Sequence, residues 1–369
     1  MEFQIRTPEL ARALARVQGV VEKKTTMPIL ANVLIKSNGK DAVSIAATDL
    51  EIGLTAEYEA KVTKPGAMTL GAKALFDIVR ALPEATVSLK LQTNQWVEIT
   101  CGKVKYRVVG IDPAHFPTLP RFADVAFFPV DPKVVRLMID MALPSVCTDD
   151  TRSNLLGAYV EPMATSPGLR MVSTDGHRLA VIDRPLATAP VMRGPVIVPR
   201  KGLGEMKKVL DNVPEGAEVR LGFVENSAVL EVGGVTLSMR LLDAKFPEYQ
   251  AVIPQSASRY AKVSRGELAS ALKRVSLLAS DKSVGVRLSL EAGTLALYMN
   301  NPDAGEASEE IAIDYTGDPL KIGVNARYLL DALGACGAET PTLEMTDELS
   351  PLVVRPDDTA SFVIMPLRI

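Results

Sequence analysis

Apolar positions along this chain follow two rhythms that take turns. Six stretches read as amphipathic helices, over windows 7–24, 71–82, 131–146, 200–212, 264–280 and 325–337. Between them apolar and polar residues alternate, the mark of strands with one buried face. Val87, Leu89 and Leu91 share one such face, Val104, Tyr106 and Val108 another, and Val219, Leu221 and Phe223 a third. The pattern predicts an α+β chain of helices packed on short antiparallel strands.

The rhythm also repeats itself. From Ala72 the order is helix, alternating strands, then Phe116-Pro117. From Arg200 the same order returns and ends at Phe246-Pro247, an offset of 130 positions. A third copy starts at Asn325 and runs to the last residue. The segments TPELARALARVQGVVE, DPKVVRLMIDMALPSV and SRGELASALKRVSLLA open on Thr7, Asp131 and Ser264, all capping-type residues. Thr48-Asp49 in SIAATDLEIGL aligns with Thr174-Asp175 in RMVSTDGHRLAV, and LALYMNNPDAG fills this slot in the third copy. The reading is three similar domains, 1–124, 125–255 and 256–369, each with two helices on antiparallel sheets. The turn-rich stretches LPRFADVAF and IPQSASRY separate them.

Charge adds a second pattern. The whole chain carries −3, yet the six helical windows hold sixteen Lys or Arg against nine Asp or Glu. That leaves the remainder at −10. Lys and Arg are good helix formers, but so is Glu, which is not enriched, so propensity alone does not produce the segregation. A basic helical face meeting a polyanion is the better reading. The cations are Arg12, Arg16, Lys23, Lys24, Lys73, Arg80, Lys133, Arg136, Arg200, Lys201, Lys207, Lys208, Arg265, Lys273, Arg274 and Arg327. No base-reading module accompanies them, so contact would be with phosphates and independent of sequence.

Other features narrow the class. Cys101, Cys147 and Cys336 are odd in number and far apart, which fits reduced, buried thiols and neither a disulfide framework nor a zinc site. No signal-peptide pattern opens the chain, and its apolar runs fall short of the roughly 20 residues a membrane helix needs. The expectation is a cytoplasmic protein without a membrane or cofactor. One of the two histidines, His177, stands beside Ser173 and Asp175 at alternate positions. A triad needs its base between nucleophile and acid, normally from distant segments. The first repeat places plain ATDLEIGL in the same slot, so the Thr-Asp pair reads as a structural turn, and no catalytic residue is expected.

The three-fold plan, together with TDGHRLAV, VIVPRKG, FPEYQAVIP and the terminal FVIMPLRI, closely resembles the bacterial sliding clamps, the β subunits of DNA polymerase III. The resemblance covers the whole chain. It implies the DNA-clamp fold, with two copies closing head to tail into a six-domain ring that encircles double-stranded DNA. Helices would line the hole, with Lys24, Lys73, Arg80, Lys133, Arg136, Arg200, Lys201 and Lys207 toward phosphates. It implies tethering of replicative and translesion polymerases and other clamp-binding proteins through a peptide socket. Carried over by position, the socket takes Arg152, Leu155, Thr174, Gly176, His177, Arg178 and Leu179 from the central domain. Pro247 and Val252 add a wall, and Val363, Met365, Pro366, Leu367, Arg368 and Ile369 come from the last strand. Ala251 and Pro351 stand where clamps commonly carry Arg and Ser, and Leu367 and Ile369 replace Met and Leu, so preference among client peptides should differ.

Ring closure would join the first domain of one copy to the third of the other. Lys103, Lys105 and Arg107 alternate on one strand, with Tyr106 opposite; Asp303, Glu306, Glu309 and Glu310 supply the acidic partner, and Leu277 and Leu278 the apolar part. A separate ATP-driven clamp loader is implied, since the chain has no nucleotide-binding loop. A cytoplasmic peptide-binding scaffold with no DNA role is the alternative.

Overall fold

The computed structural model describes residues 1–22, 26–120, 122, 124–280 and 284–368. Six α-helices occur among them: α1 (Thr7–Val17), α2 (Ala72–Ala81), α3 (Pro132–Ala142), α4 (Arg200–Leu210), α5 (Arg265–Val275) and α6 (Ala326–Cys336). Each sits within a window set by its apolar spacing. α1 buries Leu10, Leu14 and Val17 and exposes Arg12; α2 buries Leu75 and Val79 and exposes Lys73 and Arg80; α5 buries Leu268, Leu272 and Val275 and exposes Lys273 and Arg274. Fully burying one such leucine is worth about 1.5–3 kcal/mol, so the apolar stripe decides which face turns inward and the cations follow outward.

The capping residues divide. Ser264 accepts from the Glu267 amide and opens α5, and Asn325 accepts from the Arg327 and Tyr328 amides and opens α6. Thr7 caps nothing. Its hydroxyl donates to the carbonyl of Pro83 (2.8 Å) and accepts from the Ala85 amide (3.0 Å). That long-range partner is invisible to a rule about local spacing.

The described strands form four antiparallel sheets. Two have eight strands, and each is shared by successive repeats. In one, Val235–Arg240 pairs with Ile52–Glu59, with Met239 opposite Ile52. In the other, Ala360–Ile364 pairs with Arg178–Pro185, with Ile364 opposite Arg178. The remaining two have five and four strands, and one edge of each is formed by Val104–Val109 and by Gly305–Ala312 respectively.

Contacts gather the chain into two compact units, Met1–Pro132 with Gly204–Leu241, and Lys133–Leu203 with Leu242–Ile369. These limits follow the shared sheets instead of the sequence repeats. The ladder between Val235–Arg240 and Ile52–Glu59 ties the last hairpin of the second repeat to the first. Inside the first unit α1 and α2 pack together; inside the second α5 and α6 do.

Candidate functional site

The hairpin linking Gly168–Thr174 to Arg178–Pro185 is held by its own side chains. Thr174 Oγ1 donates to the Arg178 carbonyl (2.6 Å) and accepts from the Gly176 amide (3.0 Å). Asp175 Oδ1 accepts from the amides of His177 (3.0 Å) and Arg178 (3.1 Å). The turn carries Gly176 into the left-handed region (φ 87°), where glycine is relaxed, and a Cβ there would lie 3.2 Å from Arg152 Nη1. That same Nη1 donates to the Asp175 carbonyl (2.6 Å).

Arg178 is caged. Its Nε donates to Asp175 Oδ2 (2.9 Å), its Nη1 to Asp331 Oδ2 (2.6 Å), and its guanidinium lies 4.4 Å from the Tyr328 ring centroid. The side chain is only 11% exposed, so Arg178 braces the turn through its Nε and Nη1. His177 is exposed and stacks on the other partner of that cage, Tyr328 (centroids 6.4 Å apart, planes 20° apart). Burial pushes the Tyr328 phenol above its ordinary value.

A cleft of about 530 Å³ opens beside this turn. Arg152, Arg200 and Arg327 give it a cationic rim, with His177 beside them, and Leu143, Pro144, Cys147 and Tyr328 give it an apolar wall. Beneath lies one core cluster that takes in Leu155, Leu179 and Val363 together with Phe246, Tyr249 and Val353. These three expected socket residues are buried in that cluster, which meets the cleft at Cys147. Val252 (45% exposed) and Met365 (40% exposed) remain as surface apolar groups, with Pro247 exposed nearby in sequence. Met365 is anchored by its amide, which donates to the His177 carbonyl (3.0 Å), and Leu367 by its amide to the Gly323 carbonyl (2.8 Å). Pro366 is half-buried and Arg368 exposed; Ile369 lies outside the described residues.

The wall segment carrying Pro247 and Val252 is fixed by Tyr249. Its hydroxyl donates to Glu161 Oε1 (2.6 Å) and accepts from Arg170 Nη1 (3.3 Å), and Arg170 forms a two-pronged pair with Asp183 (2.6 Å each). Burial, and then the bond to Glu161, pushes the Tyr249 phenol up to about 12, against the pull of Arg170.

Hydrolytic geometry does not assemble here. Ser173 is fully buried and donates to the Ala142 carbonyl (2.7 Å), Asp175 is consumed by the turn, and His177 faces Tyr328. The first repeat carries the same turn: Thr48 Oγ1 donates to the Ile52 carbonyl (2.8 Å) and accepts from the Leu50 amide (2.9 Å), and Asp49 Oδ1 accepts from the Glu51 and Ile52 amides. Among the described residues no cluster of His, Cys, Asp and Glu could hold a metal ion, and no helix is long and apolar enough to cross a membrane.

The helix cations vary in commitment. Lys73, Lys133, Arg136, Lys201 and Arg327 are exposed, and Lys207 is half-buried. Arg80 lies over the Phe76 ring (5.4 Å). Arg136 pairs with Asp140 (3.6 Å), Arg12 with Glu9 (2.9 Å) and Lys208 with Glu205 (2.7 Å). Arg200 donates to the carbonyls of Leu143 (2.7 Å) and Val146 (3.2 Å). Arg274 turns to Glu309 on the Gly305–Ala312 strand (2.8 Å). Lys24 lies outside the described residues.

The two open sheet edges carry opposite charge. On Val104–Val109, Lys105, Tyr106 and Arg107 are all exposed, with Lys103 in the preceding turn and Arg107 over the Trp96 ring (4.7 Å). On the other edge Glu306 and Glu310 are exposed, as is Asp303 in its turn; the Tyr298 hydroxyl donates to Glu306 (2.8 Å). Leu277 is 81% exposed and Leu278 half-buried. Sequence reasoning missed Tyr328 and Asp331, whose one signal was a Tyr and an Asp three apart just inside a capped helix.

Three family descriptions match consecutive parts of the chain: the DNA polymerase III beta subunit N-terminal domain over residues 1–120, its central domain over 129–248 and its C-terminal domain over 250–368. The chain is 34% identical over 375 residues to the Beta sliding clamp of Caulobacter vibrioides and 31% identical over 373 residues to that of Escherichia coli, each pair covered in full. Among solved structures, a sliding clamp from Bartonella birtlesii bound to griselimycin is similar over the full length of both chains, with a TM-score of 0.94 at 33% identity. The DNA polymerase III subunit beta from Pseudomonas aeruginosa, also covered in full, gives 0.91 at 32%.

Proposed function

The chain belongs to the DNA polymerase III beta subunits, the sliding clamps, and from that premise we propose how its residues carry out the work. It is a DNA sliding clamp, a processivity factor that encircles duplex DNA without reading its sequence. Two copies close head to tail into a six-domain ring. The domains are 1–124, 125–255 and 256–369. The observation that carries this arrangement is the pair of open sheet edges, one basic at Val104–Val109 and one acidic at Gly305–Ala312. Each edge leaves backbone donors and acceptors unpaired, which pairing with a second copy satisfies. Opposite charge fixes which edge meets which, and two identical seams close the ring.

Phosphates are met by Lys24, Lys73, Arg80, Lys133, Arg136, Arg200, Lys201 and Lys207. Such contacts hold position without sequence information and permit sliding. Retention comes from topology, so opening needs a separate ATP-driven loader.

Client proteins dock by a short peptide whose apolar side chain packs between Pro247, Val252 and Met365, backed by the core that holds Leu155, Leu179 and Val363. His177, Arg152 and Arg368 bond its backbone and termini, while Arg178 and Asp175 hold the turn. The clients are replicative and translesion polymerases and other clamp-binding proteins, and the setting is the cytoplasm. The clamp acts by tethering, without catalysis of its own.

Sedimentation tests the closure. The wild-type chain is expected at twice 39.6 kDa, and the charge-reversed Lys105→Glu/Arg107→Glu variant at the monomer mass. A wild-type monomer at micromolar concentration would sink the ring.

A further inference from the structure

The turn at Thr48–Ile52 repeats the one at Thr174–Arg178 bond for bond, and the likeness extends to what lies against it. The Arg240 amide donates to the Glu51 carbonyl (2.8 Å) as the Met365 amide donates to the His177 carbonyl (3.0 Å). In each case the last strand of the following repeat is pinned to the tip of the turn. A cleft of about 380 Å³ opens there too, wholly within the first compact unit. Its volume is within the range of pockets that hold small ligands and peptide side chains.

Two features set this cleft apart. Leu50 occupies the position of Gly176, yet keeps the left-handed backbone (φ 80°) and leaves its side chain 56% exposed. A leucine is strained there, and exposing it gains nothing for the free chain. Glu225, on the opposite side of the cleft, is also left-handed (φ 49°). Of the four non-glycine residues with positive φ among the described residues, two line this one opening. Strained residues concentrated at a concave surface mark a site kept for binding.

The charge is also inverted. Glu51 and Glu225 face one Arg240, whereas the Thr174–Arg178 cleft sets Arg152, Arg178, Arg200 and Arg327 against three aspartates. The geometry points to a second peptide socket, at Leu50, Glu51, Leu119, Glu225, Met239 and Arg240, which takes a short linear segment bearing a large apolar side chain flanked by Lys or Arg. The apolar side chain covers Leu50 and reaches Leu119 and Met239; the flanking cation meets Glu51 and Glu225. The choice of ligand class rests on the reading of the Thr174–Arg178 cleft as a peptide socket. One ring thereby offers two kinds of client separate places, so a basic-flanked partner need not displace an acidic-flanked one.

Two synthetic peptides with the same Leu-Phe core, one flanked by lysines and one by glutamates, test this by calorimetric titration of the full chain. The lysine-flanked peptide is expected to bind, to weaken about tenfold on Glu51→Lys/Glu225→Lys, a loss of about 1.4 kcal/mol, and to be indifferent to Met365→Asp. The glutamate-flanked peptide should do the reverse. Its unchanged binding to the Glu51→Lys/Glu225→Lys chain reports that the variant is folded. A lysine-flanked peptide that does not bind, or that follows Met365→Asp and ignores the glutamate reversals, overturns the second socket. Glutamate-flanked binding that survives Met365→Asp counts against the first socket alone.

Discussion

At the scale of the residue, Arg178 shows how position and role come apart. Its place in TDGHRLAV suggests a hand extended to a ligand, but Asp175, Asp331 and the Tyr328 ring already hold it. Removing one member of a mostly buried ion pair leaves the others uncompensated. Arg178→Ala is expected to destabilise the chain by about 3 kcal/mol, against about 1 kcal/mol for Arg152→Ala, which loses one main-chain bond to Asp175 and an exposed ion pair with Asp149. Denaturant midpoints check this, and equal losses would mean the cage contributes nothing. Tyr249 makes a pH statement. Its phenol titrates near 12 in the folded chain instead of at 10.0, so above pH 10 the unfolded chain releases a proton that the folded chain retains. Its stabilising contribution is complete below pH 10 and is lost as the pH rises toward 12. Tyr249→Phe should flatten the fall in stability over that window. The Thr-Asp turn was legible in the sequence because it is local: four residues satisfy one another, and the first repeat displays the same pair. Asp331 was not legible, since nothing near it in the chain announces a bond to an arginine 153 positions away.

At the scale of the element, apolar spacing located all six described helices, because burying one stripe dominates everything else a surface helix does. The strands were legible for the same reason, and the open edges were not, since an edge strand is defined by a neighbour it lacks. The exposed pattern at Val104–Val109, with five of its six residues outward, is the trace that edge leaves. Proline at Lys105, whose amide faces away from the neighbouring strand, removes an edge donor without touching the core, so Lys105→Pro is expected to yield folded monomers by sedimentation. Dimers formed normally would place the seam elsewhere. The helix cations also separate into kinds. Lys73 is exposed on α2, whereas Arg200 ties α4 to the Leu143 and Val146 carbonyls. Lys73→Ala should lower the salt slope of DNA binding by about one, with unchanged thermal stability. Arg200→Ala should lower both. A Lys73→Ala chain with an unaltered slope would remove α2 from the DNA-facing surface.

At the scale of the whole molecule, three repeats in sequence become two compact units, because consecutive repeats share sheets across the ladders at Met239–Ile52 and Ile364–Arg178. A chain joined this way keeps its last strand from each repeat pinned to the turn of the one before, and both clefts described above lie at those pins. The same logic, continued between copies at the two charged edges, closes a ring whose hold on DNA is topological and therefore indifferent to sequence. The most direct test is retention on a nicked circular plasmid after loading by an ATP-driven loader. The chain is expected to stay with the circle through gel filtration in high salt and to leave when one cut makes the plasmid linear. A chain that washes off the intact circle, or one that stays on the linear plasmid, would contradict encirclement.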